Sequence, residues 1–217
     1  MQMLHSGNSA HVANNLYCML EISHAEEPEI LKRYKEENPG PYTSDSWKHF
    51  KDYESAIARD KVVVKSLHSM QEGLCVYCER KVFRTEHERV HGERARQVEH
   101  IKSRRDYPQE TLTYSNLALS CISRGSRLRM TCGDKKGAQV LPILPTERHR
   151  HLFDINFNNG EIIPSLSASA QEKADVERCV HILNLNDSAL AAERRAIVDK
   201  IAQIQSDGDL HATDVQE

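Results

Sequence analysis

Four pieces of the stretch from Cys75 to Gly137 decide how the chain folds. They are Cys75-Val76-Tyr77-Cys78, Val98-Glu99-His100-Ile101, Ser115-Asn116-Leu117-Ala118-Leu119-Ser120-Cys121 and Cys132-Gly133-Asp134-Lys135-Lys136-Gly137. Two cysteines three positions apart, as in Cys75 and Cys78, can aim both thiolates at one ion while a tight turn offers backbone N–H groups to the sulfurs. Cys121 and Cys132 make a second pair, set wider than a usual knuckle. Together they predict the closed tetrahedral shell of a structural zinc, which would supply folding energy to a segment with few apolar residues. Redox motifs share the C-x-x-C spacing, but no βαβ pattern surrounds it here. Cys18 and Cys179 read as buried thiols, Cys179 on the apolar face of a helix.

Between the cysteine pairs lies Glu99-His100. Strand alternation puts Val98 and His100 on one face and Glu99 and Ile101 on the other, a separation that twist at a strand end relaxes. The surroundings are basic: from Cys75 to Gly137 there are 14 Lys+Arg against 8 Asp+Glu, a local charge of +6. The whole chain carries −3, so the remainder carries −9. A basic middle between acidic flanks suits a nucleic-acid site held in a protein-binding frame.

Outward from this centre the pattern is helical. Pro28, Ile30, Leu31 and Tyr34 predict a short amphipathic helix that Asn38-Pro39-Gly40-Pro41 ends. Ser44 or Ser46 caps a longer helix with Trp47, Phe50, Ile57, Val64 and Leu67 on one face, stopping at Gly73. The first 25 residues show no period and read as an arm or an edge element. On the other side, Leu152 to Ile163 reads as a hairpin about Asn158-Asn159-Gly160. Ser169 to Leu183 then buries Val176, Cys179, Val180 and Leu183, and a helix capped by Asp187 buries Leu190, Ile197, Ile201 and Ile204. The expected class is α+β, with helices on both sides of a small metal-dependent centre. The expected units are an N-terminal arm and helices (1–72), a zinc-bound core (73–145), a hairpin with two helices (146–205) and a polar tail (206–217).

At 217 residues the chain can bury one ample core, and 39% hydrophobic with 28% charged residues is ordinary for a globular protein. No run of ~18 apolar residues occurs, which predicts no membrane span. Residues 1–15 lack a basic start followed by an apolar stretch, so a cytoplasmic protein is expected.

The order C-x-x-C, Glu-His, Asn-Leu, Cys, then Cys-Gly-Asp-Lys-Lys-Gly resembles the HNH endonucleases, whose ββα-metal site sits inside a treble-clef-like zinc frame. The resemblance implies that His100 is the general base, that Glu99 ligates a divalent metal, Mg2+ or Mn2+, and that Asn116 fixes the loop and the histidine ring. Asp134, where most such motifs carry His or Asn, is the candidate second metal ligand. An imidazole with pKa near ~6.5 suits activation of water, and a hard cation suits neutralising a scissile phosphate. Arg104, Arg105, Arg124, Arg127, Arg129, Lys135 and Lys136 are the candidate contacts to flanking phosphates.

The match continues through Glu72-Gly73-Leu74 ahead of the knuckle, Lys136-Gly137, Gly160-Glu161-Ile162-Ile163-Pro164, and Leu183-Asn184-Leu185-Asn186 with Leu190 and Arg194. Over residues 28–200 the chain is similar to the PtuB family, the HNH subunits of Septu antiphage systems and of retrons that carry the same effector pair. That likeness implies a defence nuclease, with DNA as the first substrate candidate, working with a PtuA-like ABC-type ATPase. In a retron, a reverse transcriptase with its DNA–RNA product would join the complex. No Walker motif occurs in the chain, so any ATP hydrolysis belongs to the partner. The competing reading is a non-catalytic zinc module that binds nucleic acid or the ATPase. Glu99-His100 separates the two, because a pure binder has no use for a base beside an acid.

Overall fold

The structure is a computed structural model and describes residues 19–53, 60–83, 95–122 and 130–213. Residues 19–24 run as a strap along the centre: Leu20 N–H donates to the Val76 carbonyl and Ile22 N–H to that of Pro145, with Met19 and Ile22 buried. Helix α1 (Glu29–Glu37) follows Pro28, buries Ile30, Leu31 and Tyr34, and stops at Asn38, as the sequence predicts.

The single long helix expected next is interrupted at Tyr53. Helix α2 (Ser46–Asp52) buries Trp47 and Phe50 and ends where Tyr53 turns extended. The aromatic cluster gives the reason. Tyr53 packs its ring edge-on to Tyr34, centroids 5.0 Å apart, and donates its hydroxyl to Glu37, which draws the chain back toward α1. Ser46 begins α2 without capping it, because its hydroxyl accepts from Thr43 N–H. Ile57 lies outside the described residues. A π-helical turn, Asp60–Val64, leads into α3 (Lys65–Met70), and Val64 and Leu67 are buried as expected.

Two antiparallel strands form the centre, β1 (Arg96–His100) and β2 (Leu117–Cys121), in the register Arg96 with Cys121 and His100 with Leu117. Every residue of β2 is buried, since its second edge is also covered. There Val76 N–H donates to the Leu119 carbonyl, and the Gln71 side-chain amide closes both backbone groups of Leu119. The short helix α4 (Cys132–Lys136) packs beside β2.

The C-terminal part begins with the expected hairpin, β3 (Phe153–Ile155) with β4 (Ile162–Pro164). Its turn needs Gly160, whose φ is +75° and where a Cβ would meet the Ala191 carbonyl. Helix α5 (Ala170–Leu183) starts at a capping box between Ser169 and Glu172 and buries Val176, Cys179, Ile182 and Leu183. Helix α6 (Ser188–Thr213) starts where Asp187 accepts from Ala189 N–H. It departs from expectation beyond its first turns: Leu190 is buried, but Ile197 is 50% and Ile204 61% exposed. Leu190, Ala191 and Arg194, whose guanidinium donates to the carbonyls of Gly160 and Leu185, attach its start, and Val198 still packs on the core, while Ile197 and Ile204 lie on the exposed side. The helix also continues through Thr213, past Ser206. Among the described residues the architecture is mixed helix with two small sheets, and one core runs from Met19 through the strands to Leu185. Among the described residues no helix is long and apolar enough to cross a membrane.

Candidate metal centre and active-site cleft

Three elements deliver the four cysteines. Cys75 and Cys78 sit in the turn after α3, Cys121 closes β2, and Cys132 opens α4. The turn forms because the chain leaves α3 through Glu72 (φ +53°) and Gly73 (φ +75°), whose N–H donates to the His68 carbonyl, and Glu79 (φ +57°) folds its N–H back to the Cys75 carbonyl. All four Sγ atoms lie within 4.8 Å of one another, and those of Cys78 and Cys121 are 3.6 Å apart. Sulfurs bound to zinc at about 2.3 Å stand roughly 3.8 Å apart in a tetrahedron, so the group already has the size of a metal shell. The thiols are free and not disulfide-bonded.

Burial opposes charge on Cys75, but hydrogen bonds from Cys121, Cys132 and Cys78 outweigh it and hold this thiol well below its usual range. The Cys121 backbone N–H donates to the same sulfur at 3.3 Å. Cys78 and Cys132 are pushed up, mainly by their hydrogen bonds with Cys121. Four sulfurs with no carboxylate among them suit a borderline-soft ion held for structure, and these residues could hold such a metal.

The end of β1 forms one wall of an open cleft of about 450 Å³, lined among others by Glu99, His100, Arg104, Arg105, Gly133 and Asp134. Alternation along β1 sends Gln97 and Glu99 toward α4. Glu99 is buried; its Oε1 accepts from Lys136 Nζ at 2.8 Å and from the Tyr77 hydroxyl at 3.1 Å. Burial pushes its carboxyl up, against the pull of Lys136 and Tyr77. Gly133 lets α4 approach this carboxylate, since a Cβ there would collide with Glu99 Oε2. Asp134 Oδ1 accepts from Gln97 Nε2 at 3.0 Å.

His100 points the other way, its ring edge-on to Trp47 at 5.1 Å. Its Nε2 lies 3.0 Å from the Thr111 carbonyl, which can only accept, so this nitrogen carries the hydrogen and Nδ1 keeps the lone pair. Burial lowers the pKa to about 4, helped by the charges of Arg104, Lys136 and Lys51 and opposed by the Thr111 bond, which leaves the ring neutral near pH 7. Asn116, 3% exposed, clamps the intervening loop: its side chain accepts from Lys102 N–H and donates to the carbonyls of Lys102 and Glu110. Through this loop it supports the Thr111 carbonyl that His100 meets, and its backbone carbonyl accepts from Ile101 N–H next to His100.

Strand β1 and helix α4 thus bring Glu99, His100 and Asp134 to one cleft. Their donor atoms are not gathered as tightly as the sulfurs: among the described residues the four cysteines are the one group of three or more ligand-type side chains within 4.8 Å. Arg104 and Arg105 line the cleft, Arg104 donating to the Ser44 carbonyl and Arg105 paired with Asp106. Lys135 is exposed. Lys136 corrects the expectation of a phosphate contact: it is 1% exposed and its ammonium is committed to Glu99 and to the His100 carbonyl. Arg124, Arg127 and Arg129 lie outside the described residues. Tyr77, Trp47, Gln97 and Thr111 also shape the site. Gln97 could have been found from its position two residues before Glu99, and Tyr77 from its place inside the knuckle, whereas Trp47 and the Thr111 carbonyl leave no local signal.

No protein-family model matches the chain. It is 31% identical over 189 residues to a protein of Vibrio cholerae serotype O1 biovar El Tor named "Retron Vc95 putative HNH endonuclease", a match covering 86% of this chain and 85% of that one. With this identity over nearly its whole length, the chain belongs to the HNH endonuclease family.

Proposed function

We propose that the chain is a metal-dependent HNH endonuclease that hydrolyses phosphodiester bonds of nucleic acid, DNA foremost, as the effector of an antiphage defence complex. The observation that carries this reading is the convergence of Glu99, His100 and Asp134 on one cleft rimmed by Arg104 and Arg105. His100, neutral and with its Nδ1 lone pair available, takes the proton of the attacking water. Glu99 and Asp134 are the residues that would hold Mg2+ or Mn2+, an ion that would neutralise charge on the scissile phosphate and the leaving oxygen. Asn116 is a positioning residue acting through the loop that presents Thr111. Cys75, Cys78, Cys121 and Cys132 would hold the zinc that fixes the frame, and Arg104, Arg105 and Lys135 would meet flanking phosphates.

The retron named in the relative supports a place in such a system. The ββα-metal, treble-clef-like core, the likeness to PtuB, the PtuA-like ABC-type ATPase partner and a reverse transcriptase with its DNA–RNA product belong to the same reading. The competing one, a zinc module without catalysis, draws on one observation, the buried ion pair of Glu99 with Lys136, which can serve structure alone. Assays of the purified complex on DNA and RNA with Mg2+ or Mn2+ separate the two. His100→Ala is expected to lower cleavage by about 10²-fold or more while zinc content and partner binding persist. Equal cleavage by wild type and variant would reject the nuclease reading.

A further inference from the structure

Lys136 is 1% exposed and its ammonium meets three acceptors: Glu99 Oε1 at 2.8 Å, the His100 carbonyl at 3.0 Å and the Gly137 carbonyl at 3.4 Å. Tyr77, fully buried, donates its hydroxyl to the same Glu99 Oε1 at 3.1 Å. A carboxylate oxygen offers two in-plane lone pairs, and here both are engaged by protein donors. The other oxygen, Oε2, lies against Gly133, a residue that lines the cleft together with Glu99 and Asp134. A carboxylate so held can turn only one oxygen to the cleft.

The geometry points to Lys136 and Tyr77 as positioning residues that restrict Glu99 to monodentate ligation and thereby set the ion preference of the site, Mg2+ or Mn2+ over Ca2+. Mg2+ takes six oxygens at about 2.0–2.1 Å and accepts single carboxylate oxygens, whereas Ca2+ takes six to eight at about 2.3–2.6 Å and readily draws a carboxylate in bidentate. Denying Glu99's second oxygen therefore removes more from Ca2+ than from Mg2+. This rests on the reading of Glu99 as a metal ligand.

The test uses the full-length, zinc-loaded chain. Mn2+ binding is followed by the electron paramagnetic resonance of free Mn2+, and Mg2+ and Ca2+ are titrated as competitors. In Tyr77→Phe and Lys136→Met the Ca2+-to-Mg2+ affinity ratio is expected to rise by about 10-fold, the scale on which outer-shell partners tune a metal site, with zinc content unchanged. Tyr77→Phe removes one O–H at nearly constant volume, so it decides the matter should Lys136→Met fail to fold. A purely structural role would weaken both ions in proportion, and a wild-type ratio in the folded variants overturns the inference. Glu99→Gln separates the two levels. If it binds Mn2+ as wild type does, the ligand reading falls and this inference with it. If it loses Mn2+ while the ratio in the other variants stays put, only the inference falls.

Discussion

Glu99 and His100 are sequence neighbours held by opposite means. Glu99 is kept inside by a cation and a phenol, His100 by an aromatic edge and a backbone carbonyl. A half-buried group braces the facing strand: His24 Nε2 lies 2.8 Å from the carbonyl of Leu117, the register partner of His100, and its ring stands edge-on to Tyr114. Burial lowers the His24 pKa, the bond to Leu117 acting against it. The fold therefore prefers neutral His24 more than the unfolded chain does. That preference contributes stability above the unfolded value, about 6.5, and is lost as pH falls below it through the depressed folded value. His24→Gln is expected to flatten the dependence of the urea midpoint on pH between about 7 and 5, and an unchanged slope would show that His24 carries no such linkage.

Among elements, the cysteine cluster joins the knuckle, β2 and α4, alongside the Val76–Leu119 backbone bond, the Gln71 amide on Leu119 and the bond from Gly133 N–H to the Ser120 hydroxyl. Metal affinity in isolated zinc knuckles is of order 10 kcal/mol, comparable with the ~5–15 kcal/mol of a whole domain, so losing one ligand outweighs any single packing contact. Cys75→Ser is expected to drop zinc content toward zero and to melt the centre well below wild type. Metal analysis, and calorimetry with and without a chelator, check both. A zinc-free wild type whose melting ignores chelators would remove the metal from the account. The break between α2 and α3 shows the reverse case, where aromatic packing of Tyr53 on Tyr34 overrides a helical period that continues on paper.

At the scale of the whole molecule, charge is divided: a centre of +6 within a chain of −3. Phosphate contacts made by that centre would release counterions, and log K would fall by roughly 0.9 per contact for each unit of log[salt]. Arg105→Ala and Lys135→Ala, both at exposed side chains, are each expected to reduce that slope by about 0.9 in DNA-binding titrations. An unchanged slope would place the nucleic acid elsewhere on the surface.

Much of this protein was readable along the chain. The four cysteines announce themselves because metal-type ligands must be specific residue types at recognisable spacing, and α1, α5 and the hairpin announce themselves by period and caps. Lys136 shows where that kind of reading ends. A lysine in a basic run looks like a phosphate contact, yet the fold turns its ammonium inward onto a glutamate 37 positions away. Ile197 and Ile204 mark the same boundary from the other side, since an apolar period says which face a helix would bury and not whether anything is there to receive it. Burial, ion pairing and the path of α6 are properties of separations in space, set by which distant segments meet, and only the tertiary structure decided them.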